Sequence, residues 1–300
     1  MSVLTEKIKP SATLSINTKA NELKKNGINV ISYAVGEPDF DTPKHIKDAA
    51  ISKILEGKTK YTPTGGIPEL KDEISKKFKT DNNIDYSNDE IFVSAGAKIT
   101  IYEALLSIMN PGDEVIIIEP YWVSYPEIVI LCGGIPKFVR TDINGFSKSY
   151  AMTGWRLGYV GAPKNIINEM KKVEMQTVSC LPYFIQYAGV VALQSSQDCV
   201  EEMRKKFEER RDYVVRRAKE IFYCNVPDGA FYIFPEHSMY EKDSIKFSGF
   251  LLEKAKVAVV PGIAFGDSCE GHIRLSYATS MENLKKGFDA IEDALKKFKQ

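Results

Sequence analysis

Three hundred residues, 44% of them hydrophobic, are enough for one large core or two moderate ones. Forty basic and forty acidic residues cancel, which argues against a nucleic-acid groove or a face for anionic membranes. Three histidines and five scattered cysteines without a C-x-x-C pair argue against a zinc site or a disulfide framework.

The start of the chain, MSVLTEKIKP, is charged and lacks an apolar signal core, and no stretch reaches membrane-spanning length; a cytoplasmic protein is expected. From there, helical periods alternate with short apolar strands, the pattern of an α/β protein. Pro68 falls just inside a helix expected over IPELKDEISKKF, where its missing N–H costs little. EIFVSAGAK reads as a strand running into a helix N-terminus, with ITIYEALLSIM continuing the helix. NPGDEVIIIEP reads as a turn and a continuous apolar strand, the pattern of a strand covered on both faces. IPKFV and GYVGA add two short strands. A long amphipathic helix is expected from Cys199 to Phe222, its arginines and lysines forming a solvated face. GAFYIF, VAVVP and HIRLSYA follow as strands. The last helix is expected to begin with Ser280 as N-cap and Glu282 in its first turn. Leu284, Phe288, Ile291, Leu295 and Phe298 then fall on one apolar face, which is packing.

The chemistry concentrates between Ile143 and Gly158, INGFSKSYAMTGWRLG. A lysine forms an imine with a carbonyl cofactor only where its amine is shielded from water and loses its proton readily, which makes Lys148 a candidate. Arg156, eight residues on, offers a planar fork that matches a phosphate. Gly96, Ala97 and Lys98 begin a helix whose free N–H groups and positive end suit an anion. Arg274 sits on the alternating strand H-I-R-L-S-Y and points with His272 and Ser276. Neither a dinucleotide fingerprint nor a nucleotide-triphosphate loop is present.

The string around Lys148 resembles the Schiff-base motif of class I aminotransferases, enzymes with the type I fold of pyridoxal phosphate proteins. GEPDF (Gly36–Phe40), KYTPTGG (Lys60–Gly66), SAGAK (Ser94–Lys98), YWVSYPE (Tyr121–Glu127), VAVVPGIAFG (Val257–Gly266) and HIRLSYATS (His272–Ser280) resemble further signatures, in the family's order. KPSAT at Lys9–Thr13 is similar to the branch of prokaryotic aspartate aminotransferases. The resemblance implies a large α/β domain, its mostly parallel sheet covered by helices, over 41–190, and a smaller α+β domain from 1–40 and 191–300. It assigns Lys148 to the Schiff base with pyridoxal 5'-phosphate and to proton transfer at the substrate α-carbon. Arg156, Gly96, Ala97 and Lys98 would hold the phosphate, joined by Tyr61 from a neighbouring subunit, so a homodimer is implied. Trp122 would stack on the pyridine ring, Arg274 would grip the substrate α-carboxylate, and Gly36 would let the backbone approach that carboxylate. Lys98 resembles a lysine that meets the distal carboxylate of aspartate or glutamate. The implied reaction is ping-pong transamination between L-aspartate and 2-oxoglutarate, with amino and 2-oxo acids as the only partners besides a second copy.

One part of the family's pattern is absent. The Asn-Pro-rich loop and the Asp-Glu-hydrophobic-Tyr segment, which supply the acid at the pyridine nitrogen, have no counterpart. KFVRT runs straight into DINGFSK. A gap of roughly 80–90 residues is expected near Thr141–Asn144. Losing strands there would leave two unpaired inner edges. Two other readings stay open: a deletion variant that binds cofactor without turnover, and an aminotransferase of aromatic or prephenate specificity.

Overall fold

The computed structural model describes residues 6–8, 10–138 and 146–298. Two helix-covered strand pairs occupy the first part of the chain. Helix α1 (Ala12–Lys25) leads to the two-residue strand β1 (Ile31–Ser32), and α2 (Lys44–Leu55) and α3 (Pro68–Asn82) follow. Pro68 stands in the first turn of α3 as expected, and Asn83 ends it in the left-handed region at φ 55°. Strand β2 (Ile91–Ser94), buried at every position, passes through Gly96 into α4 (Ala97–Ile108).

Strand β3 (Glu114–Ile117), α5 (Tyr125–Leu131) and β4 (Ile135–Phe138) form a parallel strand–helix–strand unit, with Val115 opposite Pro136. Then come the short α6 (Phe146–Ser149), β5 (Gly158–Gly161), α7 (Lys164–Thr177) and α8 (Tyr183–Gln194). β5 pairs antiparallel with β2, Phe92 facing Val160, while α2 and α3 pack on α8 and α4 packs on α7.

The strand expected to be covered on both faces is not. Ile116 is 67% exposed and Ile135 on its partner strand 46%. The cause is visible in the pairing: among the described residues, β2·β5 and β3·β4 are separate two-stranded sheets with no hydrogen-bonded strand between them. The gap expected near Thr141–Asn144 lies outside the described residues.

The rest of the chain builds a second core. Helix α9 (Asp198–Ile221) starts and ends one residue before the expected bounds. β6 (Tyr232–Ile233), α10 (Ser244–Phe250), β7 (Val257–Ala258), β8 (Val260–Pro261), β9 (Ile273–Ser276) and α11 (Met281–Phe298) complete the order. β9 is flanked antiparallel by β6 and β8, and β7 runs parallel to β1. Ser280 caps α11 by accepting the Asn283 N–H at 3.2 Å. Leu284, Phe288, Ile291 and Leu295 are buried along it; the Phe298 side chain lies outside the described ones.

The basic run of α9 is more than a solvated face. Arg210 forms a fork on Asp39 at 2.6 and 3.0 Å, and Arg217 ties α9 to α11 through Asp289 and Glu292. One buried cluster centres on Ile46, Leu70, Ile74, Ile91 and Leu157; another centres on Tyr33, Val214, Phe247, Leu275 and Phe288. A third, with Ala20, Val30, Ala258 and Phe265, touches Val123. All five cysteines are free thiols. Among the described residues no helix is long and apolar enough to cross a membrane, and no cluster of metal-ligating side chains occurs.

Candidate active site

Lys148 reaches its place because the turn behind it is pinned. The Met152 N–H returns to the Ser147 carbonyl at 3.1 Å, and the Thr42 hydroxyl donates to the Ala151 carbonyl at 2.6 Å. Trp155 Nε1 donates back to that hydroxyl at 3.1 Å. So braced, Lys148 opens onto a cleft of about 310 Å³ lined by Val35, Gly36, Glu37, Thr153 and, from α1, Leu14 and Asn17. Its ammonium donates to the Gly36 carbonyl and sits 5.6 Å from the Phe231 ring centroid. The side chain is exposed to the cleft, yet desolvation by the surrounding protein pulls its pKa below the usual lysine range. Arg274 and Arg156 push the same way, and Glu37 opposes them. The Glu37 carboxylate in turn accepts the Thr153 hydroxyl.

Arg156 adopts a left-handed backbone at φ 53°, which costs an L-residue roughly 1 kcal/mol. That turn carries its guanidinium to the start of α4. Gly96, at φ 89°, leaves just enough room: a Cβ there would stand 2.8 Å from Arg156 Nη2. One residue into the helix, Lys98 holds its ammonium 4.7 Å from the Trp122 ring centroid. Desolvation and then Arg156 lower the Lys98 pKa. Trp122 itself packs edge-on against Tyr125 at 5.5 Å.

On the other wall, Arg274 of β9 donates to the Ala34 carbonyl at 2.7 Å and lies over Tyr232, 4.4 Å from its centroid. Its Nε is buried with no hydrogen-bond partner among the described residues, and burial pulls its pKa down. The neighbours it was expected to point with are otherwise engaged: His272 stacks on Phe234 at 5.2 Å, and Ser276 is buried. Gly36 fits beside this wall because a Cβ would lie 2.1 Å from Tyr232 Oη.

Thus Lys148, Gly36 and Arg274 share one side of the site, and Gly96, Ala97, Lys98, Trp122 and Arg156 the other. Arg156 donates to the carbonyl of Thr153 at 3.2 Å, and Thr153 lines the cleft onto which Lys148 opens, which joins the two sides. Tyr61 is the exception: it is 92% exposed. Sequence reasoning missed Glu37, Thr153, Phe231 and Tyr232. GEPDF and GAFYIF carried three of them, but nothing in a strand pattern says which aromatic faces a cleft.

Among the described residues, Lys98, Lys148, Arg156 and Arg274 make no ion pair. Three cations, Lys98, Arg156 and Arg274, thus stand without an ion pair among the described residues near the desolvated Lys148 amine, on an α/β scaffold. The comparison with known proteins then fixes the family: the chain belongs to the class I and II aminotransferases, whose family model matches residues 28–144 and 142–291. An aspartate/prephenate aminotransferase of Nitrosomonas europaea is 35% identical, with 96% of this chain and 98% of that protein covered. An aspartate aminotransferase of Geobacillus stearothermophilus is 37% identical, with 94% and 95% covered. The solved aspartate aminotransferase of Thermus thermophilus with maleate superposes with a TM-score of 0.93 at 32% identity, covering 98% of this chain and 99% of that one. The fold is therefore that of the type I aminotransferases.

The same comparisons bear on the gap. The alignment with the Geobacillus protein runs over 376 positions, but 94% of 300 residues supplies only 282 of them, leaving about 94 without a residue of this chain. The family match breaks in two at 142–144, the junction expected from the sequence.

Proposed function

We propose that the site binds pyridoxal 5'-phosphate and exchanges the amino group of L-aspartate with 2-oxoglutarate in a ping-pong cycle. The observation that carries this reading is the set of three cations, Lys98, Arg156 and Arg274, that make no ion pair among the described residues. A phosphate and two substrate carboxylates would supply the charge that the protein withholds. The donor set fits the cofactor. Arg156 and the N–H groups at the start of α4 would hold the phosphate, aided by the room that Gly96 leaves. Trp122 would face the ring, and Lys148 would engage the carbonyl carbon. When bound, the cofactor supplies an electron sink that makes the substrate α-carbon acidic.

Everything else falls to the chain's own residues. Lys148, its pKa lowered by desolvation, is suited to release and recover a proton beside the α-carbon. Arg274, with a buried unpaired Nε, would fix the α-carboxylate against the Tyr232 wall. Lys98, held over Trp122 and without an ion pair among the described residues, would meet a distal carboxylate, which favours a dicarboxylic donor. The presence of maleate, a dicarboxylate, in the Thermus thermophilus structure supports the same preference. Prephenate, named with aspartate for the Nitrosomonas europaea protein, is the second reading of the acceptor.

In this reading the protein is a cytoplasmic homodimer, in keeping with its five free thiols and the exposure of Tyr61, which would serve the partner's phosphate site. Residues 41–190 would form the large domain, and 1–40 with 191–300 the small one. The test is to compare initial rates with aspartate, phenylalanine and alanine as donors to 2-oxoglutarate. Aspartate should lead by ~10-fold or more, the worth of one charged hydrogen bond at Lys98. A flat profile would remove Lys98 from that role.

A further inference from the structure

Tyr61 combines a nearly free ring with a backbone that is held on both sides directly after it. Within 62–67, Thr62 donates its hydroxyl to the Leu181 carbonyl at 2.8 Å, and its N–H faces Cys180 Sγ at 3.4 Å. The Thr64 hydroxyl donates to the Ser179 carbonyl at 2.9 Å. On the opposite side, the Gly65 carbonyl accepts the Val93 N–H of β2 at 3.1 Å.

Two fully buried side chains complete the hold. Gln186 of α8 accepts the Ile67 N–H at 2.7 Å and donates to Thr62 Oγ1 at 3.0 Å and to the Leu181 carbonyl at 2.8 Å. Glu174 of α7 accepts the Gly65 N–H at 2.6 Å. Every bond of the Gln186 amide therefore goes to the segment after Tyr61 or to the turn beneath it, and none to its own helix. Amides that serve only a helix or a core do not distribute their bonds in this way. A buried amide committed to one surface segment fixes that segment's conformation.

Resting on the reading of Tyr61 as a residue that serves the partner subunit, we infer that Gln186 and Glu174 are positioning residues of the cofactor site. They act through the backbone 62–67. A mobile segment would have to be ordered each time Tyr61 met its ligand; held in advance, it delivers the hydroxyl with that entropy already lost.

The test is a double-mutant cycle read in the cofactor dissociation constant. Pyridoxal 5'-phosphate is titrated into the dimeric protein and followed by visible absorbance. Tyr61→Phe and Gln186→Leu should each weaken binding by ~10-fold, one charged hydrogen bond. The double variant should be no weaker than Tyr61→Phe alone, because Gln186 acts only by way of Tyr61. Thr62→Val, which removes one hydroxyl and keeps the volume, should show the same loss and the same disappearance in the Tyr61→Phe background. It carries the test if Gln186→Leu melts without cooperativity. Additive losses, or unchanged binding in both Gln186→Leu and Thr62→Val, overturn the positioning role while leaving Tyr61 in place. Unchanged binding in Tyr61→Phe overturns the reading of Tyr61, and the positioning role falls with it.

Discussion

Arg274 lies over the face of Tyr232, its Cζ 4.4 Å from the ring centroid, and meets no carboxylate in the described structure. The ring takes the place of a counter-ion without discharging the guanidinium, so the cation is kept oriented and available. Arg274→Lys keeps the charge but loses the planar fork. It should raise KM for both amino and oxo acids by about 10- to 100-fold, with a smaller change in kcat. Steady-state rates against substrate concentration measure this; an unchanged KM would remove Arg274 from substrate binding.

Lys148 is held below the usual lysine pKa by desolvation, assisted by Arg274 and Arg156 and opposed by Glu37. A lowered pKa leaves more neutral amine at any given pH, so cofactor loading should speed up with pH and level off below 10.5, the ordinary value. Glu37→Gln removes the opposing carboxylate and should move that midpoint to lower pH. Lys148→Ala should abolish the visible absorbance of the loaded protein. Stopped-flow loading across pH reads all three, and persistent absorbance in Lys148→Ala would refute the assignment of the lysine.

Much of this site was legible in the chain because its motifs are local. Lys148 and Arg156 lie on one braced turn, and Gly96 to Lys98 on one strand-to-helix turn. What was not legible depends on contacts between distant segments. That Gly36 meets Tyr232, or that Arg210 anchors Asp39, follows from packing of chain ends that no period reveals. The exposure of Ile116 was misjudged for the same reason, since an apolar strand states what it prefers to be covered by, not whether the cover exists.

Glu103 of α4 is fully buried, with the Ser94 hydroxyl as its one opposing polar influence. Desolvation, helped by the nearby Glu174, pushes its pKa from 4.5 up to about 8. The folded state therefore binds this proton more tightly than the unfolded chain. Its contribution is fully present below pH 4.5 and is lost as pH rises to about 8. Glu103→Gln keeps the shape and removes the titration. It should leave the melting temperature nearly unchanged at pH 4.5 and raise it by several degrees above pH 8. Thermal melts at the two pH values decide this, and parallel curves for both proteins would show that Glu103 does not titrate in the fold.

The separation of β2·β5 from β3·β4 leads to a further expectation. Ile116 and Ile135 face solvent, and no described strand joins the two pairs. The alignment with the Geobacillus stearothermophilus protein leaves about 94 of its 376 positions without a residue of this chain, and the family match is split at 142–144. In the family's pattern that stretch brings central strands and the acid that faces the pyridine nitrogen. Grafting the Geobacillus stearothermophilus stretch between Thr141 and Asn144 should therefore cover both isoleucines, pair the free edges and supply the acid. The graft should melt at a higher temperature than the 300-residue chain. Its turnover of aspartate should also be higher by ~100-fold or more, the scale of a missing charge partner in a catalytic site. Equal melting and equal turnover would mean that the shorter chain has closed its sheet and replaced the acid from residues of its own. Cofactor binding with no turnover in the 300-residue chain, restored by the graft, would mark it as a binding-competent scaffold in which Lys148 cannot act without the acid that the added stretch brings.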